Sequence, residues 1–154
     1  MNQRETREIN QAKIKDHPEL DRMSAEVMDH LINPKNYGKL PYANGIGQAI
    51  ISKFEQFVVI YVSVENEKVA DISFGTNAGE DTTVSGSIFT TMVKGLSVKE
   101  ALETVEQMDK ELELAPKKQQ NDSRLILLAF KAAITNVENR KTNLNEEMLS
   151  VELS

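Results

Sequence analysis

One stretch of this chain, Phe57–Val64 (FVVIYVSV), consists almost entirely of β-branched and aromatic residues. This composition is typical of a central strand with at least one covered face. A short polar turn, Glu65–Glu67, follows it and leads into Lys68–Phe74, where apolar and polar residues alternate. Short polar connections between consecutive strands favour hairpins, so the sequence predicts an antiparallel meander in which Gly47–Phe54 is the first strand.

Helical patterns lie on both sides of these strands. The predicted helices are Ser24–Ile32, about Thr82–Lys94, a segment that begins after Ser97, and a last one from Asp122 or Ser123 to Arg140. Gly95 suits the left-handed conformation that ends a helix, and Ser97 with Glu100 forms a capping box. Strands segregated from helices predict an α+β fold, with helices on one face of a small three-stranded antiparallel sheet.

Charge and hydropathy limit the class of protein. The net charge of −6 and the pI of about 5.0 argue against nucleic-acid binding, which needs a basic surface. No apolar run reaches the roughly 18 residues of a membrane span, and the polar, charged N-terminus is unlike a signal peptide. The sequence therefore predicts a soluble cytoplasmic protein with no membrane partner.

The chain is predicted to contain one domain with two polar ends. Residues 1–23 form a polar extension, residues 24–140 form the domain, and residues 141–154 form an acidic tail that we expect to be loosely ordered. The chain has no cysteine and only two histidines. Disulfides, thiolate metal sites and cysteine nucleophiles are therefore excluded, as is any site that needs three imidazoles.

Residues 27–140 resemble the scaffold proteins of iron–sulfur cluster assembly, the IscU type and the N-terminal domain of NifU, in the SufE/NifU superfamily. The segments that carry the resemblance are Val27–His30, Asn33–Asn36 with Gly38, Phe74 with Thr76, Met92–Gly95 with Ser97, Glu100–Ala101, Glu111–Leu114 with Pro116, and Lys131–Ile134. The resemblance covers about three quarters of the chain, and it implies the fold of that family.

In that family three cysteines, one in each of three loops, hold a nascent [2Fe–2S] cluster, and an aspartate lies two residues after the first. Aligned to this chain, the first cysteine falls at Phe54, the aspartate at Gln56, the second cysteine at Gly79 and the third at Asp122. The resemblance therefore implies a member that has lost its cluster ligands and carries no cofactor. A Phe54 ring that points inward would fill the pocket that the cluster needs.

A second family segment binds a specialised Hsp70-type chaperone in the bacterial scaffolds. Its counterpart here is Leu114–Lys118, in which Leu114, Pro116 and Lys118 are the candidate partner-binding residues. One proline and the valine of the family segment are absent, so recognition by that chaperone is not expected.

Three carboxylates are candidate metal ligands, Glu80, Asp81 and Asp122. Converging near a helix start, they could hold Mg²⁺, Mn²⁺ or Ca²⁺, or bind Fe²⁺ weakly. The alternative is structural, because acidic residues in the first turn of a helix complement its dipole.

No arrangement of nucleophile and base is evident, so the sequence predicts no enzymatic activity. The first functional hypothesis is an accessory or regulatory protein that binds a cysteine desulfurase, an active scaffold or an apo-target without carrying the cluster. The alternatives are a carboxylate-ligated metal carrier, and a plain interaction module whose N-terminal arm and acidic tail select the partner.

Overall fold

The structure, a computed structural model, describes residues 21–153, without the side chains of residues 21–24, 118 and 119. Most of the predicted N-terminal extension lies outside the described residues. The chain divides into two compact units after Pro34. Helix α1, Asp21–Ile32, belongs to the first unit and begins earlier than the predicted Ser24.

The second unit contains a four-stranded sheet and three helices. Its elements are β1 (Gly45–Ile51), a 3₁₀ turn (Ser52–Phe54), β2 (Gln56–Glu65), β3 (Lys68–Thr76), α2 (Glu80–Val93), α3 (Val98–Leu112), α4 (Lys117–Arg140) and β4 (Leu149–Glu152). The segregation of strands from helices confirms the predicted α+β class. The strand order is β3-β2-β1-β4, so the prediction of three strands is wrong.

Strand β4 corrects the expectation of a loosely ordered tail. It pairs in parallel with β1, from Gly47 opposite Leu149 to Ile50 opposite Glu152, which makes the sheet mixed rather than antiparallel. Val151 and Leu153 pack against the core. These two apolar side chains and the backbone ladder with β1 hold a segment that composition alone marks as polar.

Helix α4 crosses β1 where the strand has no side chain. A Cβ atom on Gly47 would overlap the carbonyl oxygen of Ala129 and the amide nitrogen of Ala133, so glycine permits this close approach. The helix begins at Lys117 with Pro116 as its N-cap, earlier than the predicted start at Asp122 or Ser123. Lysine and glutamine are good helix formers, and proline is favoured at a helix start.

The core lies between the sheet and α2–α4. Phe74 of β3, Phe89 of α2 and Phe130 of α4 are fully buried, and the rings of Phe89 and Phe130 meet edge to face at 5.2 Å. The predicted capping box at Ser97 is confirmed, as is the left-handed Gly95 with φ of 89°. Within residues 21–153, no helix is both long enough and apolar enough to cross a bilayer.

Candidate functional site

The first family ligand position, Phe54, ends the 3₁₀ turn Ser52–Phe54, which is called the Phe54 turn from here on. Its side chain is 55% exposed, so the ring does not point inward to fill a pocket. The Nζ atom of Lys53 lies 5.6 Å from the ring centroid, in cation–π range. Glu55 follows in a left-handed conformation (φ 53°) and turns the chain into β2, which begins at Gln56.

Asn77 joins this first loop to the second one. Its Nδ2 donates to the carbonyl of Glu55 (2.7 Å), and its Oδ1 accepts the N–H of Phe57 (2.8 Å). The neighbouring Thr76 hydroxyl donates to the carbonyl of Phe57 (2.6 Å). The second ligand position, Gly79, comes two residues after Asn77 and is the N-cap of α2 without a side-chain capping bond.

The third ligand position, Asp122, lies within α4 and reaches the start of α2. The hydroxyl of Thr82, which is fully buried, donates to Oδ1 of Asp122 at 2.8 Å. Asp122 is therefore not a first-turn residue that complements the helix dipole, because α4 begins at Lys117. Its carboxylate holds two helices together.

Hydrogen bonds thus connect the segments that carry the three ligand positions, through Asn77 between the first two loops and through Thr82 between α2 and Asp122. The residues that join them, Asn77 and Thr82, were not identified from the sequence, although each lies close to Gly79. Their only local signal is a polar side chain next to a predicted loop, which many surface positions share.

The side chains at these positions do not fit an iron–sulfur cluster. Phe54 offers an aromatic ring, Gly79 has no side chain, Gln56 offers an amide, and the Asp122 carboxylate already accepts a hydrogen bond. Iron–sulfur clusters are held mainly by thiolates. These four residues therefore support no chemistry of a bound cluster.

The carboxylates are not assembled as a metal site needs. Glu80 and Asp81 lie in the first turn of α2, as predicted, while Asp122 bonds to Thr82. Among residues 21–153, no three His, Cys, Asp or Glu side chains are grouped so that they could hold a metal ion. A site made by Glu80, Asp81 and Asp122 would need their side chains to rearrange.

The segment between α3 and α4 presents an apolar residue to solvent. Leu114 is 90% exposed and Pro116 is also exposed, while the side chain of Lys118 lies outside the described residues. The amide of Gln120 donates to the carbonyl of Ala115 at 2.7 Å and fixes the start of α4. Partner binding by this segment stays a prediction.

A separate charged cluster lies on β3. The hydroxyl of Tyr42 donates to Oδ2 of Asp71 (2.6 Å), and Nζ of Lys94 lies 3.2 Å from Oδ1. Partial burial raises the pKa of Asp71, but hydrogen bonds from Tyr42, the Ile72 N–H and Lys94 outweigh it and lower that pKa. The bond to Asp71 is the main reason that the pKa of Tyr42 is raised.

Two cavities of the second unit are lined by residues other than the ligand positions. The lining of one, of about 740 Å³, includes the apolar residues Val64, Val98, Leu102 and Val137, and one of about 610 Å³ lies between α3 and α4. Neither is lined by Phe54, Gln56, Gly79 or Asp122. At Phe54 the site is an exposed surface.

Comparisons with known proteins agree with this architecture. The family model of the NifU-like N-terminal domain matches residues 22–144. The chain is 32% identical over 112 residues to the iron–sulfur cluster assembly scaffold protein IscU 1 of Archaeoglobus fulgidus, covering 72% of this chain and 73% of that protein. It is 30% identical over 120 residues to iron sulfur cluster assembly protein 1 of Trachipleistophora hominis, covering 75% of this chain and 86% of that protein.

Solved structures share the fold at lower identity. A NifU-like N-terminal protein from Brucella abortus superposes with a TM-score of 0.61 at 17% identity, covering 75% of this chain and 93% of that one. A putative scaffold protein for the SUF system from Fervidobacterium islandicum AW-1 gives 0.57 at 17% identity, covering 73% and 93%. The chain therefore belongs to the NifU-like N-terminal domain family, with the IscU-type iron–sulfur cluster assembly scaffolds, and it has no cysteine.

Proposed function

We propose that this chain acts in iron–sulfur cluster assembly as a non-enzymatic accessory protein. It binds assembly components through the loops that hold the cluster in the IscU-type scaffolds, and it carries no cluster on them. One observation supports this most directly. At the first ligand position an aromatic ring, Phe54, stands exposed on a turn fixed by hydrogen bonds on both of its sides.

An exposed aromatic ring on a fixed turn suits protein recognition. Aromatic side chains contribute disproportionately to interface energy, and little conformational entropy is lost when they are already positioned. Lys53 beside the ring adds a positive charge, and Glu55 adds a negative one. The Phe54 turn therefore offers an apolar anchor with a charged rim.

Family membership together with the missing thiols supports one class of partner. We propose that the chain binds a cysteine desulfurase in place of an active scaffold. Without a thiolate it cannot accept sulfur from a persulfide, because that transfer needs an attacking thiolate. The complex would be unproductive, so the chain would lower the supply of sulfur to an active scaffold or an apo-target.

Anaerobic reconstitution with iron and sulfide tests the absence of a cluster. After desalting, we expect no bound sulfide and no visible charge-transfer band. Stoichiometric iron and sulfide would contradict the proposal. Retained iron without sulfide would favour the alternative carboxylate site, and Asp122→Asn should then abolish the retention.

Competition tests the partner. The protein should displace an active scaffold from a cysteine desulfurase of the same organism, and Phe54→Ala should weaken that capture by about 10-fold or more. Leu144→Ala is the matched control, because Leu144 is also an exposed apolar residue (88%) but lies away from the ligand loops. Equal capture by both variants would mean that the Phe54 turn does not contribute to binding. No capture by the wild type would overturn the proposed function.

A further inference from the structure

The C-terminal strand reaches the Phe54 turn through one side chain. The carboxylate of Glu152 accepts the N–H of Ser52 at its Oε1 (2.9 Å) and the hydroxyl of Ser52 at its Oε2 (2.8 Å). Both carboxylate oxygens are therefore used on a single residue. Hydrogen bonds to an ionised acceptor are stronger than neutral ones, and two of them fix orientation as well as distance.

The main chain closes the turn, because β1 and β2 pair as far as Ile51 opposite Gln56 and the N–H of Glu55 donates to the carbonyl of Ser52 (3.1 Å). None of the residues Ser52–Phe54 is buried, so hydrophobic packing contributes little to its position. Glu55, directly after the turn, has φ of 53°, a left-handed conformation that is unfavourable for a non-glycine residue. Side-chain hydrogen bonds add to this closure on both sides of Phe54, from Asn77 at Glu55 and Phe57 and from Glu152 at Ser52.

Strand β4 is itself held firmly in register. Asn136, which is fully buried, accepts the N–H of Ile46 (2.9 Å) and donates to the Glu146 carboxylate (2.7 Å). Arg140 donates to the carbonyls of Glu146 and Glu147. At the other end of the strand, the N–H of Leu153 donates to the carbonyl of Ile50 (2.8 Å). Because the strand is fixed before and after Glu152, its carboxylate is a fixed point for the turn.

We infer that β4 positions the Phe54 turn for partner contact and that Glu152 is the positioning residue. This inference rests on the proposed function. Ser52 is held by the C-terminal strand and Glu55 by Asn77, so the ring of Phe54 is presented between two anchors. Without Glu152 the turn samples more conformations, and the partner must order it at an entropic cost.

The first measurement requires no partner. In Glu152→Gln and Glu152→Ala, the amide of Ser52 should exchange hydrogen with solvent at least about 10-fold faster, because its acceptor is weakened or removed. Glu147→Gln is the matched control, a similar change in the same tail at a carboxylate with no described hydrogen bond or ion pair. Circular dichroism and the Tm check that the variants remain folded. Unchanged exchange in both Glu152 variants would overturn the inference.

The second measurement is desulfurase capture with the same variants. Glu152→Ala should weaken it several-fold, less than Phe54→Ala does, and Glu147→Gln should not change it. In a Ser52→Ala background the additional effect of Glu152→Ala should shrink, because the two side chains act on each other. If Phe54→Ala weakens capture and Glu152→Ala does not, the positioning role is wrong and the proposed function stands. If Phe54→Ala has no effect on capture, the turn does not bind the partner. The proposal that Glu152 positions the turn for partner contact is then wrong as well.

Discussion

The elements at one end of the sheet are connected mainly by a different kind of hydrogen bond from those at the other end. At the turn end, Glu65–Val69 and Gly95–Val98 are joined by main-chain hydrogen bonds, each 2.8 Å long, that link Val69 with Gly95 and Leu96, and Val98 with Glu67. At the loop end, which carries Phe54, Gly79 and Asp122, the connections run through the side chains of Asn77, Thr82 and Glu152. Main-chain bonds need no particular side chain, so these three connections depend little on residue identity. At the loop end a single substitution of Asn77, Thr82 or Glu152 removes a connection.

The largest effect is expected between the two ends, where α4 lies on β1. Gly47→Ala should reduce the free energy of unfolding by about 3 kcal/mol, because the new methyl group meets backbone atoms of α4 that cannot move aside. Helix α4 carries both Asp122 and residues near the turn end, so stability and partner capture should fall together. Denaturation by urea measures the loss.

Gly75→Ala is its matched control. There a Cβ atom would lie 3.5 Å from the side chain of Val59, an ordinary contact, so little or no stability should be lost. Equal losses from the two substitutions would mean that close approach of α4 is not what requires glycine at position 47.

A smaller effect is expected at the turn end. Ser97→Ala removes the side chain that accepts the N–H of Glu100 (3.0 Å), and it should cost about 1 kcal/mol. Desulfurase capture should not change, because this helix start lies at the opposite end of the sheet from Phe54. A loss of capture larger than the loss of folded protein would contradict the separation of the two ends.

A still smaller effect is expected from pH at Asp71 and its partner Tyr42. The folded-state pKa of Asp71 is lowered, so its contribution to stability is full above its unfolded pKa, near 4, and is lost as the pH falls through the folded value. The raised pKa of Tyr42 has the opposite sign, and its contribution is lost as the pH rises above about 10. The difference in Tm between the wild type and Asp71→Asn should shrink at both extremes, and a difference independent of pH would contradict the assignment.

The smallest effect is a gain. Gly79→Ser places a hydroxyl at the N-cap of α2, where φ of −71° and ψ of −172° suit a capping residue and no atom lies within 4 Å of a new Cβ. Stability should rise by a few tenths of a kcal/mol. The gain would show that this helix start has been left uncapped, in contrast to α3 with its complete capping box.

The features predicted correctly are those that a short window of sequence determines. The capping box of Ser97 and Glu100 depends on a spacing of three residues, and Gly95 depends on its own lack of a side chain. The strand Phe57–Val64 follows from composition and lies within β2. Local geometry decides each of these features, so the distant parts of the chain do not matter.

The features that were missed depend on pairs far apart in the chain. Strand β4 forms because Leu149–Glu152 pairs with β1, about 100 residues earlier in the chain. Nothing within those four residues indicates which strand they pair with. The orientation of Phe54 has the same cause, since Ser52 is held by Glu152 and Glu55 by Asn77. The start of α4 is different, because Pro116 and the helix-forming residues after it were a local signal that outweighed the polar composition.

The two edges of the sheet determine how readily another chain could pair with it. On the outer side of β3, Phe74 exchanges main-chain hydrogen bonds with Asn36 and Gly38, and Val69 does so with Gly95 and Leu96. On the other side, β4 is only four residues long and turns Ser150 and Glu152 to solvent. Strands that are already paired, or that are short and charged, make poor templates for another chain. The molecule can therefore expose the Phe54 ring while its sheet resists polymerisation at high concentration.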